Sequence, residues 1–429
     1  MGKFIELKID SHRFGMPLPD DADILMNREP PKIVSGQSFS ADLVDALASH
    51  PLHGKRLAVV VADKTRLCGY DRYLPILIDA LEKRGALKEN ITVYIAYGTH
   101  PAQSDADCRA TYGDVFSRYR FVHHDCTEDT CFADLGATRR GTPVRIRKDI
   151  VEADFVVTFG AISHHYFAGY GGGRKLIFPG LGQRAAIYRN HSLFLDPHRR
   201  TLSAGCRSGC LAGNPLAEDL DDIEDYRPAD LAIHGILDSQ GTVCRLMVGR
   251  GIAHFRQACE CHAQNCEIDV GDGYDWVVAS CGGYPKDINF IQAHKAVHHA
   301  AAFVKNGGAL IVFAQCRDGI GSTTFLPWFD MGGWNAAFDH LSHAYQGNGG
   351  TALALMAKTR RIKIFLVTDL SPDVCRRIGV TRLDPGSAED RVRRCIGSLA
   401  VVPNASLLVR RQTRRQLEHH ADLARTPKK

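Results

Sequence analysis

Short apolar runs rich in β-branched residues recur along the chain between longer segments of mixed polarity. RLAVVVAD (56–63), ITVYIAYG (91–98), DFVVTFGAI (154–162), DWVVASCGG (275–283), GALIVFAQ (308–315) and KIFLVTDL (363–370) are apolar on both alternating faces. Each therefore predicts a strand buried on both sides of a parallel sheet. Between them, DRYLPILIDALEKRGAL (71–87) and DINFIQAHKAVHHAAAFVKNGG (287–308) space their apolar residues three and four apart, the period of an amphipathic helix. LGQRAAIYRNH (181–191) predicts a further helix that closes on His191. This alternation specifies an α/β fold of mainly parallel sheets flanked by crossover helices. A polar stretch near 257–274 precedes a fresh strand–helix series, which sets the expected division into two α/β domains at 1–268 and 269–429.

In open α/β sheets ligands bind beyond the carboxyl ends of the strands. The polar residues that follow each predicted strand are DKTR (63–66), GTH (98–100), SHH (163–165) and GGYPKD (282–287). Asp63 or Thr65 reads equally as a helix N-cap or, with Lys64 and Arg66, as part of an anion or hydroxyl site, where Arg66 presents a planar fork. His100 has the residue type of a proton shuttle at neutral pH. His164 and His165 are neighbours on a strand, so their side chains alternate and at most one faces a shared site. His123 and His124 read as surface-loop residues.

The stretch HHYFAGYGGGRK (164–175) matches neither standard nucleotide loop. Arg174 stands where G-x-G-x-x-G needs its third glycine, and Leu176 stands where a P-loop needs Ser or Thr. Its glycines suit close approach of a bulky ligand and positive φ. The LIFPG that follows holds the loop against the core and gives Lys175 partly apolar surroundings. Desolvation of that kind lowers a lysine's pKa and exposes a nucleophilic amine. His191 reads either as a histidine favoured by a helix C-terminus or as a metal ligand. Gln292 and Lys295 are three apart and share one helix face. With Asp287 as N-cap they form an anion site at a helix start; otherwise they belong to an exposed amphipathic helix with His294, His298 and His299.

Composition narrows the class without identifying it. At 429 residues, 45% hydrophobic and 24% charged, the chain is long enough for two or three globular domains. The net charge of +5 is too small at this length to imply nucleic-acid binding. The basic clusters RVRRC (391–395) and RRQTRRQ (410–416) read as the wet faces of terminal helices. No signal-peptide core opens the sequence, and no apolar run approaches the ~18 residues that span a membrane. A cytoplasmic protein without membrane or nucleic-acid partners is therefore expected, its fourteen cysteines reduced. CECHAQNC (259–266) and the Cys206/Cys210 pair lack the C-x-x-C spacing of a structural zinc site.

Taken as an ordered set, these stretches resemble the nickel-dependent lactate racemase family. The set is D-x-T-R at 63–66, G-x-H at 98–100, H-x-F-A-G-[FY]-x-G-G-x-K at 165–175, P-G at 179–180, N-H at 190–191 and G-G-x-P-x-D-x-N-x-x-Q-x-x-K-A at 282–296. The resemblance implies two α/β domains with the active site in a cleft between them. It implies a nickel pincer nucleotide (a pyridinium mononucleotide with two thio-acyl arms), tethered to Lys175 and ligated through nickel by His191. It implies His100 and His165 as acid and base, and Asp63, Lys64, Thr65 and Arg66 around the nucleotide. Arg66 would reach the substrate, and Gln292 with Lys295 would hold its carboxylate. The implied reaction racemises or epimerises a 2-hydroxy acid by hydride transfer, and cofactor-synthesis proteins are implied partners. The chain departs from the usual pattern at Leu67, His164 and Ile291, which bears on the substrate's side chain. Two other classes compete: a two-domain nicotinamide-dependent dehydrogenase, and a non-catalytic protein that captures an anionic metabolite.

Overall fold

The computed structural model describes residues 3–411; the 412–416 part of RRQTRRQ lies outside the described residues. The chain divides into two compact units. The first consists of Glu29–Leu193 and Cys210–Asn265, the second of Met1–Arg28, Phe194–Gly209 and Cys266–Lys429. The chain passes from the first unit to the second at 265/266, and the second unit also takes in the N-terminal residues and a short central segment.

A six-stranded sheet runs through the first unit in the order Val243–Gly249, Leu231–Leu237, Phe155–Ala161, Leu57–Ala62, Ile91–Ala96, Arg120–His123. All neighbours are parallel except the antiparallel Leu231–Leu237 and Val243–Gly249 pair. Every residue of Leu57–Ala62 is buried, as a doubly covered strand requires. Two tyrosines pin its carboxyl end. The Tyr70 hydroxyl accepts from the Ala62 amide (3.0 Å) and donates to the Phe159 carbonyl (2.9 Å), while the Tyr112 hydroxyl donates to the Ala62 carbonyl (2.9 Å). The loop that begins at Asp63 therefore leaves a fixed point.

The second unit holds a parallel six-stranded sheet in the order Thr381–Leu383, Lys363–Val367, Val304–Phe313, Tyr274–Ser280, Leu399–Val402, Asp23–Ile24. Its N-terminal residues belong here for a packing reason. The hairpin Lys3–Ile9/His12–Leu18 buries Leu7, Met16 and Leu18 in one cluster with Val278, Ile311 and Phe313, and Asp23–Ile24 extends the sheet edge. The central segment is tied in by the Arg200–Asp339 ion pair (2.7 Å) and by the Trp334 indole, which donates to the Arg200 carbonyl (3.2 Å).

All six expected strands are present, within a few residues of their expected bounds. The polar stretch near 257–274 is not a loop throughout. Its first part lies in the helix Gly251–Cys266, which buries Phe255, Ala258, Cys259, His262, Ala263 and Cys266 on one side. The helical period is present, but half of it is written in cysteine and histidine. Of the basic clusters, Arg391 and Arg393 are exposed in the last turn of the helix Pro385–Arg393. Among the described residues no helix is long and apolar enough to cross a membrane. All fourteen cysteines are free thiols.

Asn214 joins the late segment of the first unit to its histidine loop. Fully buried, it caps the helix Pro215–Glu224 by accepting from the Leu216 and Ala217 amides (3.2 and 3.1 Å). Its amide nitrogen donates to the carbonyls of Phe167 and Cys210 (3.0 Å each). Asn214→Ala should therefore cost more than a cap alone, about 2–3 kcal/mol, measured from the shift of the urea unfolding midpoint.

Candidate active site

The loop after Leu57–Ala62 is organised by its own carboxylate. Asp63 Oδ1 accepts from the Thr65 amide (2.8 Å) and hydroxyl (2.6 Å), and Oδ2 lies 2.7 Å from His100 Nδ1. Neither Asp63 nor Thr65 caps a helix, since the next one, Tyr70–Lys83, begins after Gly69. Burial pushes the Asp63 carboxyl up, but the bond and charge of His100, the Thr65 hydroxyl and the Arg66 charge outweigh it and hold it at about 2. With a carboxylate at Nδ1, neutral His100 carries its proton there and presents the Nε2 lone pair elsewhere. Lys64 leans away into an exposed ion pair with Asp107 (2.6 Å).

His164 and His165 lie on a short strand, Ser163–His165, paired with Gly169–Gly171. Alternation separates them. His164 contacts His262 of the helix Gly251–Cys266, while the His165 ring sits 4.4 Å from Phe167 and its Nδ1 accepts from the Ala168 amide (3.2 Å). Phe167 is the common wall of the site. Its centroid is 5.1 Å from the His191 ring and 5.9 Å from Lys175 Nζ. Phe167 was not singled out among the sequence candidates, although it lies inside the histidine–lysine string.

Lys175 sits in the short 3₁₀ turn Gly173–Leu176. Part of it remains accessible, yet the protein around its ammonium pushes the pKa well below its usual value, and the charges of Arg66 and Arg174 add to this. His191 lies in the last turn of the helix Arg184–Ser192; burial first and Lys175 second depress its pKa to about 3. His191 is therefore neutral at physiological pH, and the charged form of Lys175 is disfavoured. Arg174 is buried, ion-paired with Asp221 (2.7 Å) and stacked over Phe255 (4.5 Å).

The glycines of this loop are required by the protein's own packing. A Cβ at Gly169 would lie 2.2 Å from the Cys210 carbonyl oxygen, one at Gly172 2.3 Å from that of Ala161, and one at Gly173 2.3 Å from the Phe255 ring. All three also have positive φ. Two expectations are corrected. His124 is buried, its Nε2 3.1 Å from the Gly182 carbonyl, and His123 bonds the Tyr97 hydroxyl (2.9 Å); both are structural.

In the second unit, Lys295 Nζ donates to Gln292 Oε1 (2.9 Å) on the helix Phe290–Ala301. The N-cap is Asn289, not Asp287. Asp287 is fully buried and accepts the Asp10 amide (2.7 Å), securing the turn of the N-terminal hairpin. The helix is not simply exposed, because His294 and His299 are buried on its inner side.

The first unit thus carries a carboxylate-held histidine, a guanidinium, a second histidine on an aromatic wall, a lysine whose charge is disfavoured and a neutral imidazole, on a mainly parallel sheet. A family model for the lactate racemase N-terminal domain matches residues 34–202, and one for the lactate racemase C-terminal domain matches 271–346. The chain belongs to the lactate racemase family, whose named members are isomerases. It is 29% identical over 340 residues to the lactate racemase of Thermoanaerobacterium thermosaccharolyticum, covering 76% of this chain and 77% of that protein. It is also 29% identical over 330 residues to that of Lactiplantibacillus plantarum, covering 75% and 74%. The solved lactate racemase apoprotein from T. thermosaccharolyticum superposes with a TM-score of 0.85 at 25% identity, covering 96% of this chain and all of that one. A crystal structure of a Thermotoga maritima protein shares the fold at a TM-score of 0.66 and 16% identity, covering 90% of this chain and all of that one.

The depressed Lys175 pKa has a consequence for stability. The folded protein binds fewer protons at this group than the unfolded chain, so its penalty is present at neutral pH and disappears as pH rises towards 10.5. Lys175→Met should therefore raise the Tm of the cofactor-free protein at pH 7, by roughly 2–4 °C for each kcal/mol of penalty removed. Thermal melts should show the gain shrinking at pH 10.

Proposed function

We propose that the protein interconverts the two configurations at C2 of a 2-hydroxy acid, using a nickel pincer nucleotide tethered to Lys175. The observation that supports this most is that Lys175 and His191 share one aromatic wall, Phe167, where the charged forms of both are disfavoured. Forming an amide-type tether needs an unprotonated amine, and the surroundings of Lys175 shift it towards that form. Nickel takes a neutral imidazole nitrogen, and His191 stays neutral down to about pH 3. The residues present fit the group.

When bound, the cofactor would supply an electrophilic centre for hydride, chemistry that no side chain here offers. The chain's own residues manage the proton and the carboxylate. His100 Nε2 accepts the hydroxyl proton of one enantiomer, and the Asp63 carboxylate stabilises the imidazolium that forms. His165 serves the other enantiomer, whose hydroxyl points to the opposite side. Asp63 and Thr65 act through His100, Arg66 draws the substrate anion, and Gln292 with Lys295 holds its carboxylate. Cofactor-synthesis proteins are required partners on this reading.

Protein produced together with the cofactor-synthesis machinery should carry a mass adduct of a few hundred daltons and about one nickel per chain, since imidazole and soft sulfur donors suit that metal. Single enantiomers of lactate and of larger 2-hydroxy acids, followed by chiral chromatography, identify the substrate. Lys175→Ala should lose adduct and activity together. An adduct-free protein under these conditions, or turnover that needs nicotinamide, overturns the proposal. Asp63→Asn should keep the adduct while kcat falls about 100-fold and KM changes little, the range of a general-base contribution.

A further inference from the structure

The helix Gly251–Cys266 supplies no residue to the site, yet it touches both loops that do. Its Phe255 ring lies against Gly173 and under the Arg174 guanidinium (4.5 Å), next to Lys175 in sequence. Two turns on, His262 Nε2 lies 3.2 Å from His164 Nδ1, next to His165. The His164 ring in turn packs on Tyr170, its register partner across the hairpin, at 5.0 Å. Tyr170, Phe255, Ala258 and Cys259 belong to one buried cluster. Phe255 and His262 are seven residues apart, two helical turns, so one rigid face reaches both loops.

A bond between two imidazole nitrogens holds one proton, donated by one ring and accepted by the other. His262 is 5% exposed, so little water is at hand to replace that bond. The hairpin that carries His165 is only three residues long on each side and has glycine at 169 and 171. Two such short strands are marginal by themselves. Because side chains alternate, whatever fixes His164 on the back also fixes the direction of His165 on the front.

We infer that His262 is a positioning residue: through its bond to His164 it holds the short hairpin 163–171 in the register that aims His165 into the site. The catalytic half of this inference rests on the racemase reading; the structural half does not.

The test compares His262→Leu, His262→Gln and His164→Phe. The glutamine keeps a donor and an acceptor, and the phenylalanine keeps the stack on Tyr170 while removing the shared proton. In the cofactor-free protein, amide hydrogen exchange over 163–171 should speed up about tenfold in His262→Leu and His164→Phe, as expected for loss of one buried hydrogen bond. His262→Gln should restore most of the protection. In cofactor-loaded protein the first two variants should retain the mass adduct and KM within about twofold while kcat falls about tenfold, a loss of positioning rather than binding. Unchanged exchange in both variants overturns the inference, as does equal loss in His262→Leu and His262→Gln, which would mark a packing role alone. Should His262→Leu fail to fold, His164→Phe carries the same comparison. A wild-type protein without racemase activity would refute the functional proposal and leave the exchange result standing.

Discussion

An ammonium group taken from water is costly unless it gives up its proton, and that constraint organises the first unit. Lys175 is surrounded by protein, and the cations nearest it, Arg66 and Arg174, push the same way as burial. Arg174 is itself buried and has to be held, by Asp221 and by the face of Phe255. The backbone before it comes so close to Ala161, Cys210 and Phe255 that three positions admit only glycine. A loop that looks flexible in composition is therefore tightly constrained around a lysine whose charged form is disfavoured.

The histidines show how one residue type is set to different tasks by its surroundings. His100 has a carboxylate on Nδ1, which favours a proton on that nitrogen and leaves Nε2 as the basic one. His165 has main-chain amides at Nδ1, and His191 has burial and a neighbouring lysine. His164 and His262 bond each other, and His123 and His124 bond a tyrosine and a carbonyl. A histidine count says nothing of this, since each role follows from what stands within about 3 Å of a ring nitrogen.

Stability and function pull against each other at this site. Depressing the pKa values of Lys175 and His191 leaves the folded state with fewer bound protons than the unfolded chain. Elsewhere the first unit invests in rigidity: two tyrosines at the end of Leu57–Ala62, a fully buried Asn214 with four hydrogen bonds, and the helix Gly251–Cys266 behind both loops. Strained and desolvated positions persist where the surrounding structure over-determines them.

Much of the fold was legible from the chain because doubly buried strands are written as unbroken apolar runs and amphipathic helices as a three-and-four spacing. Lys175, with its apolar flank, and Gln292 with Lys295, one helical turn apart, could be read the same way. Local sequence also separated His164 from His165, since alternation along a strand needs no partner to be known. It could not assign Asp63 to His100, 37 residues away, or His164 to His262, 98 residues away, because those pairs exist only once distant strands and helices are packed. Nor could it attach the first 28 residues to the C-terminal sheet, or show that the glycines face Ala161, Cys210 and Phe255. Periodicity is a property of neighbours along the chain, whereas burial, protonation and hydrogen-bond partners are properties of neighbours in space.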